Sequence, residues 1–333
     1  MATIIDVAKL AGVSKTTVSR YLNGNDIGHM SDETRKRIIA AIKELDFNPS
    51  DIARSLKRKS TNVIGIVIND MTNPFFLNMI QGIETELKGT GYNFLICNSD
   101  MDIKLEIGCL KMLEQKQIDG IIVIGLNMSV SHIKELNIKI PIVLLERDAG
   151  DSNLDSVRID NRSGSYEAVK HLIDRGHKKI AHISGPRLST IAIERHDAYI
   201  ECLTDYEIDL NPQYIVKGNY KMESGYESMK LLMELQDKPT AVFCANDNMA
   251  LGALRYLIEK NISVPGEIAL VGYDDIPVAQ MVTPALTTVR QPVMELSMTA
   301  TRLLLKRINT KDSENYESQS IVMESDLIIR KSS

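Results

Sequence analysis

The chain has 333 residues, of which 44% are hydrophobic and 25% are charged, and its net charge at pH 7 is −5. This length is too great for one ordinary core and suits two or three domains. No apolar run reaches 18 residues, which argues against a membrane partner, and the N-terminus lacks the basic start and apolar stretch of an export signal, so we expect a cytoplasmic protein.

The modest net charge conceals an asymmetry along the chain. Residues 1–60 hold 11 Lys and Arg against 7 Asp and Glu, a net charge of +4, whereas the remaining residues hold 28 against 37, a net charge of −9. A small basic head on a large acidic body points to a polyanionic partner such as nucleic acid. Ordinary variation in surface charge is the alternative when this observation is taken alone.

Three short helices are predicted in the first 47 residues. Thr3 can cap a first helix that ends before Gly12, and Ser14 can cap a second helix that runs to about Leu22. Ser31 can cap a third helix with an apolar stripe. Two helices joined by a tight turn and braced by a third form the helix-turn-helix plan, in which the second helix enters the major groove of DNA.

The second predicted helix has a polar face that points outward while Val18 and Leu22 point inward. Lys and Arg can donate hydrogen bonds to guanine, and Thr can meet a thymine methyl group or a phosphate. The predicted DNA contacts on this face and at its end are Lys15, Thr16, Thr17, Ser19, Arg20 and Asn23. A small helical cap whose polar face is only solvated is the alternative.

A short hinge helix is predicted next, because Asn48 can cap it and Pro49 suits its first position. Two turns are too few to be stable alone in water, so this helix would form only against another surface. Leu56 stands among basic residues that include Arg54, which suits an apolar wedge in the DNA minor groove. A basic interdomain linker with a buried leucine is the alternative.

From residue 62 onward, apolar runs alternate with amphipathic helical stretches. Strands that are apolar throughout are typical of parallel sheets covered by helices on both faces, so the body is predicted to be α/β. Two such lobes fit the length, with chain crossings near residues 159–161 and 290–292, and a cleft between them is the expected ligand site. The predicted strands span residues 63–68, 93–98, 120–124, 142–145, 180–184, 241–245, 269–273 and 287–290.

Taken together, the motifs resemble the LacI/GalR family of bacterial transcription regulators over the whole chain. The headpiece and hinge carry IDVAKLAGVS at 5–14, TVSRYLN at 17–23 and the segment 48–56. The matching motifs in the body are TNPFF at 72–76, VGYDD at 271–275, TPALTT at 283–288 and the segments 175–177, 183–186, 194–195 and 246–247. Each motif alone is weak, and their shared order makes the resemblance specific.

The resemblance implies a helix-turn-helix headpiece at 1–47, a hinge helix and linker at 48–61, and an effector-binding and dimerisation body at 62–333. The body would resemble a periplasmic sugar-binding protein, with two doubly wound parallel sheets. Its lobes would comprise approximately residues 62–160 with 291–321, and 161–290 with 322–333. It further implies a homodimer on a pseudo-palindromic operator in double-stranded DNA, with allosteric control by a small carbohydrate bound between the lobes.

The resemblance also implies roles for individual residues. Lys15, Thr16 and Arg20 match base-reading positions, Leu56 matches an intercalating leucine, and Ala53 matches a neighbouring minor-groove contact. The implied effector-binding residues are Phe75, Phe76, Arg147, Arg195, Tyr220, Asn246 and Asp274. Judged by sequence alone, Arg195 could instead be a surface residue, Asp274 a helix cap, and the two phenylalanines part of the core.

Two predicted pocket arginines, Arg147 and Arg195, favour an anionic carbohydrate such as a uronic or aldonic acid, because a guanidinium holds a carboxylate in bidentate fashion. The predicted function is therefore repression of carbohydrate catabolism or uptake genes. Whether the effector releases or recruits the protein stays open.

Other classes of protein are less well supported by the sequence. The sequence has no Gly-x-Gly-x-x-Gly, Walker A or Gly-x-Ser-x-Gly motif, so we expect no enzyme and no cofactor. Its four cysteines are scattered and its histidines lack metal-ligand spacing, so no metal site is expected. A sugar-binding protein of a transport system would suit the body, but the basic head and the missing export signal argue against it.

Overall fold

The computed structural model describes residues 2–22, 30–47, 60–125, 127–187, 189–310 and 316–333. It divides into two compact units, residues 1–62 and residues 63–333. The predicted hinge helix lies outside the described residues, as do the predicted contacts Asn23, Ala53, Arg54 and Leu56. Within the described ranges, no helix combines the length and the apolar character needed to cross a bilayer.

The first unit contains the three predicted helices: α1 (Ile4–Leu10), α2 (Lys15–Leu22) and α3 (Asp32–Glu44). The α1 N-terminus is a capping box, since the Thr3 hydroxyl accepts from the Asp6 amide and the Asp6 carboxylate accepts from the Thr3 amide. Gly12 follows α1 at φ +63°, a conformation that glycine adopts without strain. The three helices share a core of Val7, Ala8, Ala11, Val18, Ile38 and Ala41.

The second unit is an alternation of strands and helices. In chain order its elements are β1 (Val63–Ile68), α4 (Pro74–Leu87), β2 (Asn93–Asn98), α5 (Ile103–Gln115), β3 (Gly120–Ile124), α6 (Val130–Glu135), β4 (Ile142–Leu145), β5 (Asp155–Ile159), α7 (Asn161–Asp174), β6 (Ile180–Ser184), α8 (Thr190–Asp205), β7 (Ile215–Lys217), α9 (Met222–Glu234), β8 (Ala241–Cys244), α10 (Asp247–Glu259), β9 (Ala269–Asp274), β10 (Thr287–Arg290), α11 (Val293–Asn309), β11 (Ser320–Met323) and β12 (Asp326–Ile328).

These strands form two six-stranded sheets. The first has the order β11-β5-β4-β3-β1-β2 and is parallel throughout. The second has the order β12-β10-β9-β8-β6-β7 and is parallel except for the antiparallel edge strand β12. The two parallel-dominated sheets confirm the predicted fold class. The chain passes between the sheets after β5, after β10 and between β11 and β12.

Burial follows from the apolar runs. In β1, every residue from Ile64 to Ile68 is buried, with Ile66 packing in one core cluster and Val67 in another on the opposite face of the sheet. Such two-sided burial is what a helix-covered parallel sheet requires. Four strands were not predicted, namely β5, β7, β11 and β12. Three of these, β7, β11 and β12, are edge strands that keep partly exposed residues, so they lack a continuous apolar run.

Candidate functional site

Helix α2 presents the predicted DNA-reading face of the first unit. Lys15, Thr16 and Arg20 are exposed, whereas Val18 is fully buried against the other two helices. Because Val18 faces the core, Lys15, Thr16 and Arg20 lie on the solvent side of the helix. This arrangement leaves two cationic side chains available to an external partner such as DNA.

The other predicted residues of α2 are less exposed. Thr17 is half-buried, and its hydroxyl lies 2.8 Å from the hydroxyl of Ser14, which also accepts from the Thr17 amide at 3.1 Å. Ser19 is also half-buried. The Ser14 interaction caps the helix as the sequence predicts. Thr17 therefore contributes to the start of the helix in addition to any contact with DNA.

The second unit contains a cavity of about 620 Å³, including its open mouth. Residues from both sheets line it at the carboxyl ends of strands: Asn69 follows β1, Glu146 follows β4, Asn246 lies two residues after β8, and Asp274 ends β9. In α/β proteins this is the usual place for a small ligand. The full lining is Asn69, Asp70, Asn73, Phe75, Phe76, Met101, Gly125, Asn127, Glu146, Ser189, Ile191, Arg195, Tyr220, Asn246 and Asp274.

Arg195, on α8, is a buried residue of the cavity lining and is held from several sides. Its Nε donates to Oδ1 of Asn161 at 2.9 Å, and its Nη1 donates to the carbonyl of Ala245 at 2.6 Å. Nη1 also lies 3.6 Å from Oδ1 of Asp274, and the guanidinium lies 3.5 Å from the centre of the Tyr273 ring. These contacts fix the guanidinium plane, so its remaining N–H groups present a rigid donor set.

Asp274 is a buried carboxylate in an unusual backbone conformation. Its φ of +114° is sparsely populated by residues other than glycine, and such strain is often found at functional sites. Oδ1 accepts a hydrogen bond from Nε2 of Gln291 at 2.8 Å. Burial raises the pKa of Asp274 to about 7, while Arg195 and Gln291 oppose that rise.

Glu146 belongs to the cavity, although the sequence did not single it out. It is 3% exposed, and both carboxylate oxygens are buried without a hydrogen-bond partner. Burial raises its pKa to about 7, Arg195 opposes the rise, and Asp274 adds to it. The backbone at Glu146 also has a positive φ of +61°. Its place directly after a fully buried strand was the signal that could have identified it.

Aromatic side chains form part of the wall. Phe75 and Phe76 meet edge to face, with ring centres 5.6 Å apart. Phe75 is 6% exposed and packs in the core as well as lining the cavity. Tyr220, at φ +67°, lies against Gly185, and its hydroxyl is 3.4 Å from that of Ser189. Aromatic faces of this kind cover the apolar side of a ring-shaped ligand.

Asn246 serves the architecture as well as the cavity. Its Oδ1 accepts from the Met249 amide at 3.0 Å and thereby caps α10, while Nδ2 donates to the carbonyl of Tyr220 at 3.1 Å. The second hydrogen bond connects the loop that carries Tyr220 to the start of α10. Asn246 thus positions the aromatic wall.

The prediction that Arg147 faces the cavity is not supported. Arg147 is half-buried and is absent from the lining, where its neighbour Glu146 stands instead. Burial lowers the pKa of Arg147, and the nearby Glu106 carboxylate opposes that shift. The chain bends after β4, with a positive φ at Glu146, and the side chain that lines the cavity there is that of Glu146.

The described residues contain no group of three or more His, Cys, Asp and Glu side chains arranged to hold a metal ion. Within the same ranges the four cysteines are free. The six predicted residues other than Arg147 all line the cavity, namely Phe75, Phe76, Arg195, Tyr220, Asn246 and Asp274.

Comparison with known proteins agrees with this architecture. Residues 3–50 match the family model for bacterial regulatory proteins of the lacI family, and residues 169–333 match that for a periplasmic binding protein-like domain. The HTH-type transcriptional repressor PurR of Mannheimia succiniciproducens is 37% identical over 335 residues, covering 100% of this chain and 98% of the relative. A PurR of Histophilus somni is 38% identical over 335 residues, covering 100% and 99%.

Solved structures of transcription regulators are also similar to this chain. The lac repressor dimer bound to operator and the anti-inducer ONPF superposes with a TM-score of 0.87 at 26% identity, covering 99% of this chain and 98% of that one. The complex of the transcriptional regulator CelR with cellobiose gives a TM-score of 0.74 at 31% identity, covering 100% of both chains. These relatives are regulators of transcription rather than enzymes. The chain belongs to the LacI family of DNA-binding transcriptional repressors.

Proposed function

We propose that this repressor binds a pseudo-palindromic operator as a homodimer and that a small, ring-shaped, hydroxyl-rich ligand in the cavity controls its affinity for DNA. Residues 1–47 would bind the major groove, residues 48–61 would form the hinge, and residues 62–333 would bind ligand and dimerise in the cytoplasm. The observation that carries the proposal is one cavity lined from the strand ends of two sheets, with a fixed guanidinium, carboxylates and aromatic rings.

The mechanism follows from this two-sided lining. Arg195, Tyr220 and Asp274 belong to the second sheet and its helices, whereas Phe76 and Glu146 belong to the first. A ligand that contacts both sides favours one arrangement of the lobes over another. The change in operator affinity equals the ligand's preference between the two arrangements, typically about 1–3 kcal/mol.

The charge within the cavity favours hydrogen-bond donors over anions. Its described lining residues include three carboxyl groups, those of Asp70, Glu146 and Asp274, and one guanidinium, that of Arg195. With Arg147 outside the lining, the second cation that would hold a sugar acid is missing. A carbohydrate with free hydroxyl groups fits this cavity better than a uronic or aldonic acid does.

A purine base is the second candidate ligand. Phe76 and Tyr220 offer faces on which a flat heterocycle could stack, and amide and carboxylate groups could bind its edge. The relatives named PurR at 37% identity give this candidate a reason to be tested directly.

The decisive experiment measures DNA binding and ligand response together. Fluorescence anisotropy with DNA from upstream of the protein's own gene would give operator affinity, with a scrambled duplex of equal length as control. Calorimetry would then compare neutral hexoses, hexuronic acids and purine bases. Equal affinity for the operator and the scrambled duplex would refute sequence-specific binding. Tight binding of a sugar acid alone, or of a purine alone, would refute the hydroxyl-rich ligand.

A further inference from the structure

The cavity is unevenly supplied with hydrogen-bonding groups. Four buried acceptor atoms in or beside its lining have no partner: Oδ1 of Asn69, both carboxylate oxygens of Glu146 and Oε1 of Gln291. Among the described lining residues, no fully buried side-chain nitrogen is left without a partner. Buried polar atoms are normally satisfied, so an excess of one kind indicates the complementary groups of a ligand.

Glu146 supplies two of these four buried acceptor atoms without a partner. It is 3% exposed, and neither oxygen makes a well-formed hydrogen bond, although the nearby Ile159 amide acts to lower its pKa. The nearby guanidinium cannot neutralise it fully, because Arg195 already donates to Asn161 and Ala245 and pairs with Asp274 at 3.6 Å. An unpaired buried carboxylate is costly in free energy, which is why the pKa of Glu146 is raised, and a partner that carries both donors and positive charge would hold the group ionised.

We propose that the natural ligand carries an amino group that binds as an ammonium beside Glu146, which makes it a member of the amino-sugar class. This inference rests on the proposed function, since it concerns the same cavity. An ammonium offers three donors and one positive charge, so it matches the orphan acceptors and the excess of carboxylates together. A neutral hydroxyl supplies a donor without the charge, and a carboxylate or phosphate adds to the negative charge.

The rest of the cavity suits the remainder of such a molecule. The aromatic faces of Phe76 and Tyr220 can cover the apolar side of a sugar ring. Asp274 and the fixed guanidinium of Arg195 can bind ring hydroxyls. The amino group then distinguishes the ligand from ordinary hexoses of the same shape.

Calorimetry on the full-length protein at pH 7 tests the inference with matched probes. Glucosamine, galactosamine and mannosamine would each be compared with the parent hexose and with the N-acetyl derivative, in which the charge is removed. We expect at least one amine to bind tenfold or more tightly than both of its matched neutral forms. Equal or tighter binding of the neutral forms, or no binding by any of the three amines, would overturn the inference.

Substitutions then assign the preference to Glu146. Glu146→Gln keeps the shape and removes the charge, so the preference for the amine should fall at least tenfold, whereas Glu146→Asp should retain it. Glu135→Gln, at an exposed position outside the lining, is the matched control and should change nothing. Circular dichroism establishes that each variant is folded. An unchanged preference in folded Glu146→Gln would reject the role of this residue.

The outcomes separate this inference from the proposed function. If a neutral hexose alters operator affinity while no amine binds, the proposal of a ligand-controlled repressor is supported and the proposal of an ammonium ligand is refuted. If the protein does not distinguish its operator from a scrambled duplex, the proposed function fails whichever sugar binds.

Discussion

Nη1 of Arg195 lies 3.6 Å from Oδ1 of Asp274, and both side chains are more than nine-tenths buried. This pair joins α8 to the end of β9 in the lining of the cavity. A buried ion pair contributes little net stability compared with apolar packing, but removal of one partner leaves the other charge uncompensated. Because both residues line the cavity, we expect the pair to serve ligand binding rather than stability.

Arg195→Ala should destabilise the protein and abolish the ligand response. Asp274, Asn161 and the carbonyl of Ala245 would each lose a partner, and we expect a loss of about 3–5 kcal/mol in the free energy of unfolding. Urea denaturation measures it. Arg162→Ala, which breaks an ion pair between half-exposed side chains, is the control and should cost less than about 1 kcal/mol. Equal losses in the two variants would contradict the role of the buried pair.

Stability should depend on pH through Glu146. Its pKa in the folded protein is about 7 because of burial, compared with 4.5 for an ordinary glutamate, so the folded state holds a proton that the unfolded state has lost. The stability associated with this group is full below pH 4.5 and is lost as the pH rises through 7. Burial raises the pKa of Asp274 in the same direction, and the Asp274 carboxylate adds to the raised pKa of Glu146, so the two groups titrate together.

Glu146→Gln should remove this dependence. The stability of the variant relative to the wild type should increase as the pH rises from 5 to about 7, by at most about 1.4 kcal/mol for each pH unit, and should level off at higher pH. Urea midpoints at several pH values give the comparison, and Glu135→Gln serves as the exposed control. A constant difference across this range would show that Glu146 ionises normally.

Gly185→Ala should impair ligand binding by displacing Tyr220. A Cβ at position 185 would overlap the Tyr220 ring, which packs directly on the glycine. We expect a tenfold or greater loss of ligand affinity by calorimetry. Gly108→Ala is the matched control, because a Cβ there meets nothing within 4 Å and lies within α5, where alanine favours the helix. Retained affinity in Gly185→Ala would show that the ring can move without consequence.

Arg20→Ala should reduce operator discrimination. Loss of a bidentate contact to a base costs about 1–3 kcal/mol, so the ratio of specific to non-specific affinity should fall by roughly 5- to 150-fold. Lys43→Ala removes another exposed positive charge, from α3 and outside the predicted reading face. It should leave the ratio unchanged while weakening binding to all sequences slightly. Anisotropy titrations on operator and scrambled DNA measure both effects.

Leu56→Ala should weaken operator binding without affecting ligand affinity, if the hinge acts as an apolar wedge in the minor groove. Gel mobility with circularly permuted operator fragments would measure the accompanying loss of DNA bending. Unchanged affinity and bending would remove the wedge from the mechanism.

Much of the fold could be predicted because it depends on local patterns. The capping residues Thr3, Ser14 and Ser31 and the apolar runs of the central strands specify their elements almost independently of context. The edge strands β7, β11 and β12 could not be predicted, because they are completed by hydrogen bonds from a neighbour rather than by their own hydrophobicity.

The composition of the cavity depended on the tertiary structure. Arg147 and Glu146 are adjacent polar residues after a buried strand, and the sequence does not determine which of them turns toward the second sheet. The burial of Glu146, the absence of partners for its oxygens and its raised pKa all arise from groups far along the chain, including Arg195 and Asp274. A local pattern can specify a helix or strand, whereas the electrostatics of a cleft depend on which distant charges folding brings together.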